Sequence, residues 1–371
     1  MGARKTQSKP PASGGTGGAG APSTSRHIRA GMGEAAITES LAWTDEEYAR
    51  ATQIDRGEGP RELDPETLRA AFQAMLQLRA IDEAAARLVA AGRLGSHLST
   101  KGIEAALMGA IAALGPDDMV AAGARSAAAA LYRGLSVEAL AVQLLANGDE
   151  LALGRLPGWL TLPRALNVVP GSSHAATQLP HAAGIAWAAK MQHKPIVALG
   201  YLDPQEIDAE DFHTGLNFAG VFQLPVVFVC VNDRPDGPMK TGETVAIRAF
   251  AYGIAGSRVD GADLVAVWAH VRAAAERARR GQGATLIEAV IPAGVNPLAI
   301  TGARLAAAKV LDPRSSSEMQ AAAEAEVKAA IEAERGTGAP ATATLIDGVM
   351  AQPSTALREQ LDELTRTRHR S

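Results

Sequence analysis

Cysteine is nearly absent from this chain: Cys230 is the single one in 371 residues. One cysteine makes no internal disulfide, and no metal-type cysteine spacing exists, so a reducing compartment, the cytoplasm, is the expected setting. Cys230 sits in the apolar run Val-Val-Phe-Val-Cys-Val-Asn and is expected to be a small buried core residue. Also missing is any apolar stretch close to the roughly 20 residues that span a bilayer. The N-terminal stretch has basic residues but no apolar core, so it does not read as a secretory signal. Neither sign of charge is in excess: the net charge is −4 and the isoelectric point about 6.1. That balance gives no reason to expect nucleic acid or an anionic membrane as a partner.

What is present is 47% hydrophobic residues, enough for one large domain or two modest ones. Residues 1–62 are rich in Gly, Ser, Pro and Ala and are expected to form a disordered tail. The Met-Gly start leaves open a myristoylation signal, a flexible tail or a true start at Met32. Residues 63–313 are expected to form the main domain, and 314–371 a helical segment with a polar tail.

Order is expected from Leu63. Asp64-Pro65-Glu66 opens a helix with a capping carboxylate, a proline in the first turn and an acid beside it. Leu68, Phe72, Met75 and Leu76 share one face of that helix, which stops at Gly92. Further helices are expected over Lys101–Leu114, Val137–Ala146, Gln178–Lys190, Ala209–Phe222 and Leu264–Arg279, with a short one at Arg248–Tyr252. In Ala209–Phe222 the inward residues are expected to be Phe212, Leu216, Ala219 and Phe222. Strands are expected at Met119–Ala122, Ile196–Leu202, Val226–Val231, Ser257–Val259 and Thr285–Ile291. Continuous apolar strands alternating with helices imply an α/β fold: a parallel sheet with helices on both faces. Ligands of such sheets bind at the carboxyl ends of the strands. That places Asp203–Asp211, Asn232–Gly237 and Pro292–Pro297 around one candidate site.

Several ordered motifs then match a family. GRLGSHLSTKGIEAA (Gly92–Ala106), GSSHAATQLPHAAGIAWAAK (Gly171–Lys190) and DFHTGLNFAGVFQLPVVFVCVN (Asp211–Asn232) follow one another at family spacing, and TLIDGVMAQPSTALREQ (Thr344–Gln360) resembles its closing segment. Over roughly Leu63 to Leu361 the chain resembles the alpha subunit of the first component of 2-oxo acid dehydrogenase complexes. The resemblance implies a thiamine-diphosphate-binding fold. It implies oxidative decarboxylation of pyruvate or a branched-chain 2-oxo acid, with acyl transfer to lipoamide. It also implies thiamine diphosphate and Mg²⁺ as cofactors, a beta subunit in an α2β2 assembly, and docking on an acyltransferase core. An acetoin dehydrogenase-like thiamine enzyme with an atypical metal site is the alternative.

The resemblance also assigns residues. The family's Gly-Asp-Gly metal motif falls on Asp203, Pro204 and Gln205, and its Asn-Asn on Asn232-Asp233. Pro204 cannot ligate, but a one-residue slip puts Asp203 at the ligand position and Asp233 retains an oxygen ligand, so these two are the candidate metal ligands, with Asn232 a candidate cofactor contact. Mg²⁺ requires such hard oxygen donors. For Asp203, Glu206, Asp208 and Glu210, a solvated acidic loop is the competing reading. Arg125 lies where the family's arginine meets the diphosphate, with Ala124 in place of its tyrosine. Ser173 and Ala175 lie where backbone receives the aminopyrimidine, and His174 replaces a proline there. Asn296 stands at the family histidine and Pro292 at its arginine. Asn can donate a hydrogen bond but cannot supply a proton near neutral pH. His181 and His213 are read as packed or capped helix residues. These departures imply an alpha-type subunit whose own catalysis is impaired and whose role beside a beta subunit is structural or regulatory.

Overall fold

Ala198–Leu202, Val226–Asn232 and Thr285–Val290 are buried at every position, so the strands they form must be covered on both faces. The computed structural model, which describes residues 44–55, 64–145, 161–171, 174–234, 244–334, 337, 340–347 and 349–368, shows that arrangement. The strands are β1 (Ile54–Asp55), β2 (Met119–Ala121), β3 (Val168–Val169), β4 (Ala198–Leu202), β5 (Val226–Asn232), β6 (Ala255–Asp260) and β7 (Thr285–Val290). They form one seven-stranded sheet in the order β1-β6-β7-β5-β4-β2-β3, with every pairing parallel.

The two-residue period of a strand splits the core in two. Val227, Val229 and Val231 of β5 join one apolar cluster, while Phe228 and Cys230 join the other. Cys230 is fully buried, as expected of a small core residue. The first cluster is built by α2 (Pro65–Ala90), α3 (Glu104–Ala112), α4 (Ser126–Tyr132), α5 (Val137–Leu145) and α8 (Leu264–Arg279). The second is built by α6 (Gln178–Met191) and α7 (Glu210–Val221) with the turn at Ala246–Tyr252. Helices α9 (Pro297–Ala307) and α10 (Pro313–Ala333) pack on α2, and α11 (Thr344–Asp347) and α12 (Thr355–Arg368) follow toward the C-terminus. Among the described residues no helix is long and apolar enough to cross a membrane.

Three differences from the sequence expectation have physical causes. Thr44–Asp55 is ordered, not part of a tail. Thr44 and Glu47 form a reciprocal capping box that starts helix α1 (Asp45–Thr52), and β1 then pairs with β6 through Ile54 and Arg258. Helix α3 begins at Glu104 instead of Lys101, because Gly102 adopts φ 93 and breaks the helical path. Phe222 does not point inward. The helix ends at Val221, Gln223 turns the chain at φ 44, and Leu224 takes the core position at 0% exposure. Phe222 is instead 39% exposed and stacks on Trp187 at 4.4 Å between ring centroids.

One acid ties the sheet to the layer of α3 and α8. Asp118, 2% exposed, accepts from the N–H groups of Gly115 and Val197, each at 2.8 Å, and pairs with Arg279 of α8. Helices α3 and α8 touch backbone to backbone through Gly109. A Cβ at that position would lie 2.6 Å from the Leu264 carbonyl oxygen. Gly109→Ala should therefore lower stability by about 1–3 kcal/mol, the usual cost of overpacking a tight contact. Chemical denaturation measures it, and an unchanged midpoint would contradict the close approach.

Candidate functional site

The carboxyl ends of β2, β4, β5 and β7 deliver the polar residues singled out by the sequence. After β2, a short 3₁₀ turn (Gly123–Arg125) carries Arg125. After β4, Asp203 opens a second 3₁₀ turn (Pro204–Asp208) that leads into α7. After β5 come Asn232 and Asp233. After β7 the chain crosses Ile291–Asn296 before entering α9. A cavity of about 510 Å³ lies there, lined among others by Arg79, Lys101, Asp233, Pro292, Gly294 and Asn296.

Arg125 and Asp203 are brought together. The Arg125 Nη2 donates to both Asp203 oxygens, at 2.9 and 3.1 Å, and Nη1 donates to the Ser99 carbonyl at 3.2 Å. The pair is largely screened from water, with side chains 11% and 28% exposed. Glu206 is also bound into the chain. It accepts from the N–H of Asp203 at 2.8 Å, the N–H of Ala176 at 2.7 Å and the Gln178 amide at 3.0 Å. Ala176 itself has a left-handed φ of 62. Asp208 and Glu210 are exposed, as a solvated loop predicts, and Asp211 accepts from the Thr177 hydroxyl at 2.9 Å.

The other candidates separate. Asn232 turns inward: its amide donates to Glu288 at 2.8 Å and its oxygen accepts from the Arg234 N–H at 3.1 Å. Glu288, 1% exposed, is held further by the Ala246 N–H at 3.1 Å and by Arg258 at 3.2 Å. Asp233 is exposed and faces the cavity. Asn296 is exposed and caps α9, accepting from the Leu298 N–H at 3.2 Å, with Pro297 at the first helical position. His174 and Ala175 are exposed in the turn before α6, and Ser173 lies outside the described residues. His213 meets the Tyr252 hydroxyl but is exposed on α7, and His181 is exposed on α6, so neither is a packed core histidine.

These positions do not fit the diphosphate and metal that the resemblance implies. Arg125 is already paired with a carboxylate, and Asp203 presents both oxygens to a guanidinium. The Asn232 oxygen is spent on backbone.

One network had not been singled out from the sequence. Asp82 of α2, 4% exposed, binds His97 Nε2 at 2.8 Å, the Ser99 hydroxyl at 2.9 Å and the Thr100 N–H at 2.7 Å. Burial pushes the Asp82 carboxyl up, but the bonds from His97, Thr100 and Ser99 outweigh it and hold its pKa below the usual value. Beside it Arg79 bonds the fully buried Glu104 at 2.6 Å, and the Gly102 N–H reaches the same carboxylate at 3.0 Å. Together the two acids fix the loop whose Ser99 carbonyl receives Arg125. An acid among the apolar positions Leu78, Ile81, Ala84 and Ala85 was the available signal.

Because the folded Asp82 has the lower pKa, its contribution to stability is full above the unfolded value of 3.8 and is lost as pH falls below it. Asp82→Ala should cost about 1.5–3 kcal/mol at pH 7 by stranding its donors. The gap from wild type should narrow below pH 4, by roughly the protonation of this one carboxyl. Urea melts at both pH values measure it, and a pH-independent gap would contradict the network.

With this geometry in view, comparison with known proteins is specific. The family model for the dehydrogenase E1 component matches residues 72–291. The chain is 36% identical over 227 residues to the 2-oxoisovalerate dehydrogenase subunit alpha of Bacillus subtilis, covering 59% of this chain and 68% of that protein. It is 34% identical over 229 residues to the mitochondrial 2-oxoisovalerate dehydrogenase subunit alpha 1 of Arabidopsis thaliana, covering 58% and 47%. It is 32% identical over 232 residues to the pyruvate dehydrogenase E1 component subunit alpha of Bacillus cereus, covering 61% and 60%. The matched stretch thus spans from about half to two thirds of these relatives' lengths. The chain belongs to the dehydrogenase E1 component family, and its relatives are alpha subunits of pyruvate and branched-chain 2-oxo acid dehydrogenases.

Proposed function

We propose that this chain is an alpha-type subunit of a 2-oxo acid dehydrogenase, divergent, with its own catalysis impaired and a structural or regulatory role beside a beta subunit. The established activity of its relatives' complexes is oxidative decarboxylation, and members of the family use thiamine diphosphate with a divalent metal. The observation that carries the reading is Asn296. The motif resemblance puts it where the family carries a proton-handling histidine, and its side chain caps α9. An amide there can orient a group by hydrogen bonding but cannot move a proton.

Retention of the frame supports a partner. Met191, Val221, Phe218 and Phe222 are 71%, 67%, 40% and 39% exposed around the Trp187 stack, an apolar surface that association would cover. A beta subunit in an α2β2 assembly, docked on an acyltransferase core in the cytoplasm, is the arrangement this reading takes from the family.

Co-expressed with a beta-type subunit, the chain should co-elute with it, and the complex should not decarboxylate 2-oxo acids when this is its sole alpha chain. Elution as a stable monomer contradicts the subunit role, and turnover contradicts the impairment. Val221→Asp, on the exposed end of α7, should weaken the complex by on the order of tenfold. Circular dichroism of that variant should match wild type.

A further inference from the structure

We infer that Asp203 and Glu206 act as a built-in anion in the seat where the family holds its diphosphate; this rests on the alpha-type reading above. An oligoanion seat is made of guanidinium groups and N–H donors at turns and helix starts. This chain has such donors: Arg125 after β2, the Asp203 N–H after β4, the Ala176 N–H at the entry to α6, and the Gln178 amide one turn along. Each is aimed at a carboxylate of the chain itself. Arg125 grips Asp203 through two bonds of 2.9 and 3.1 Å. The Asp203 and Ala176 N–H groups and the Gln178 amide converge on Glu206 at 2.7 to 3.1 Å. Four donors and two carboxylates therefore answer one another, while the buried Arg125 Nε is left without a partner.

Two further features close the seat. Pro204 follows Asp203 and has no N–H to offer a phosphate, where a glycine would supply one. The Arg125 guanidinium already neutralises Asp203, so a divalent cation approaching Asp203 meets a positive charge. An incoming diphosphate must displace both carboxylates and leave them beside itself, half-buried and of like charge. Each displaced set of charge-assisted bonds weakens binding by roughly tenfold to a hundredfold. The consequence is a subunit whose strand ends are held in place without a cofactor.

The test is calorimetry on the full chain with Mg²⁺-pyrophosphate as the probe. Wild type should show no binding at millimolar probe. Asp203→Asn and Glu206→Gln should each admit the probe with a gain of roughly tenfold, and the double variant with on the order of a hundredfold. Micromolar binding of Mg²⁺-pyrophosphate or Mg²⁺-thiamine diphosphate by wild type would overturn the inference. So would a folded double variant that gains nothing. Should the double variant fail to fold, the wild-type melting temperature decides: no change with saturating probe supports the built-in anion, and a rise overturns it. The beta subunit takes no part in this measurement, so its failure leaves co-elution untouched, and failed co-elution leaves this result standing.

Discussion

A guanidinium that is 11% exposed must find acceptors or a counter-charge, because an unpaired buried charge is costly. Arg125 finds Asp203 and the Ser99 carbonyl. That one requirement links three parts of the molecule: the turn after β2, the loop after α2 and the turn after β4. Here the chain meets it internally, and the acidic turn that supplies Asp203 also supplies Glu206 to the neighbouring N–H donors.

The rest of the fold makes this arrangement rigid. Strands β4 and β5 are fully buried and pair in register from Ala198 to Leu202, so the point where Asp203 leaves the sheet is fixed. The Asp82 and Glu104 carboxylates fix the loop on the other side, where Ser99 waits for Arg125. Packing between α6 and α7 is equally close: a Cβ at Gly215 would lie 2.8 Å from the Leu179 Cβ. The sheet and its helices are thus closely packed around a site whose polar groups answer to one another.

The fold was legible because its signals are local. Apolar runs mark β4, β5 and β7, and Asp64-Pro65-Glu66 marks the start of α2. The site was legible only in its membership. Arg125 and Asp203 were both singled out, but they are 78 residues apart, and no periodicity says that they bond each other and not a ligand. Glu206 looked like one acid in a solvated loop because its donors Ala176 and Gln178 lie at the start of another helix, about 30 residues earlier in the chain. Asn296-Pro297 carries a helix-start signature that its alignment with a family histidine overshadowed. The Asp82 network is not legible in the sequence, because its partners come from a loop with no regular pattern.

The most direct test is a crystal structure of the chain with its beta subunit, grown in saturating thiamine diphosphate and Mg²⁺. The account predicts Arg125 still bonded to Asp203, Glu206 still on the Ala176 N–H, and no diphosphate between them. A diphosphate seated on Arg125, with Asp203 turned to a metal ion, would contradict it.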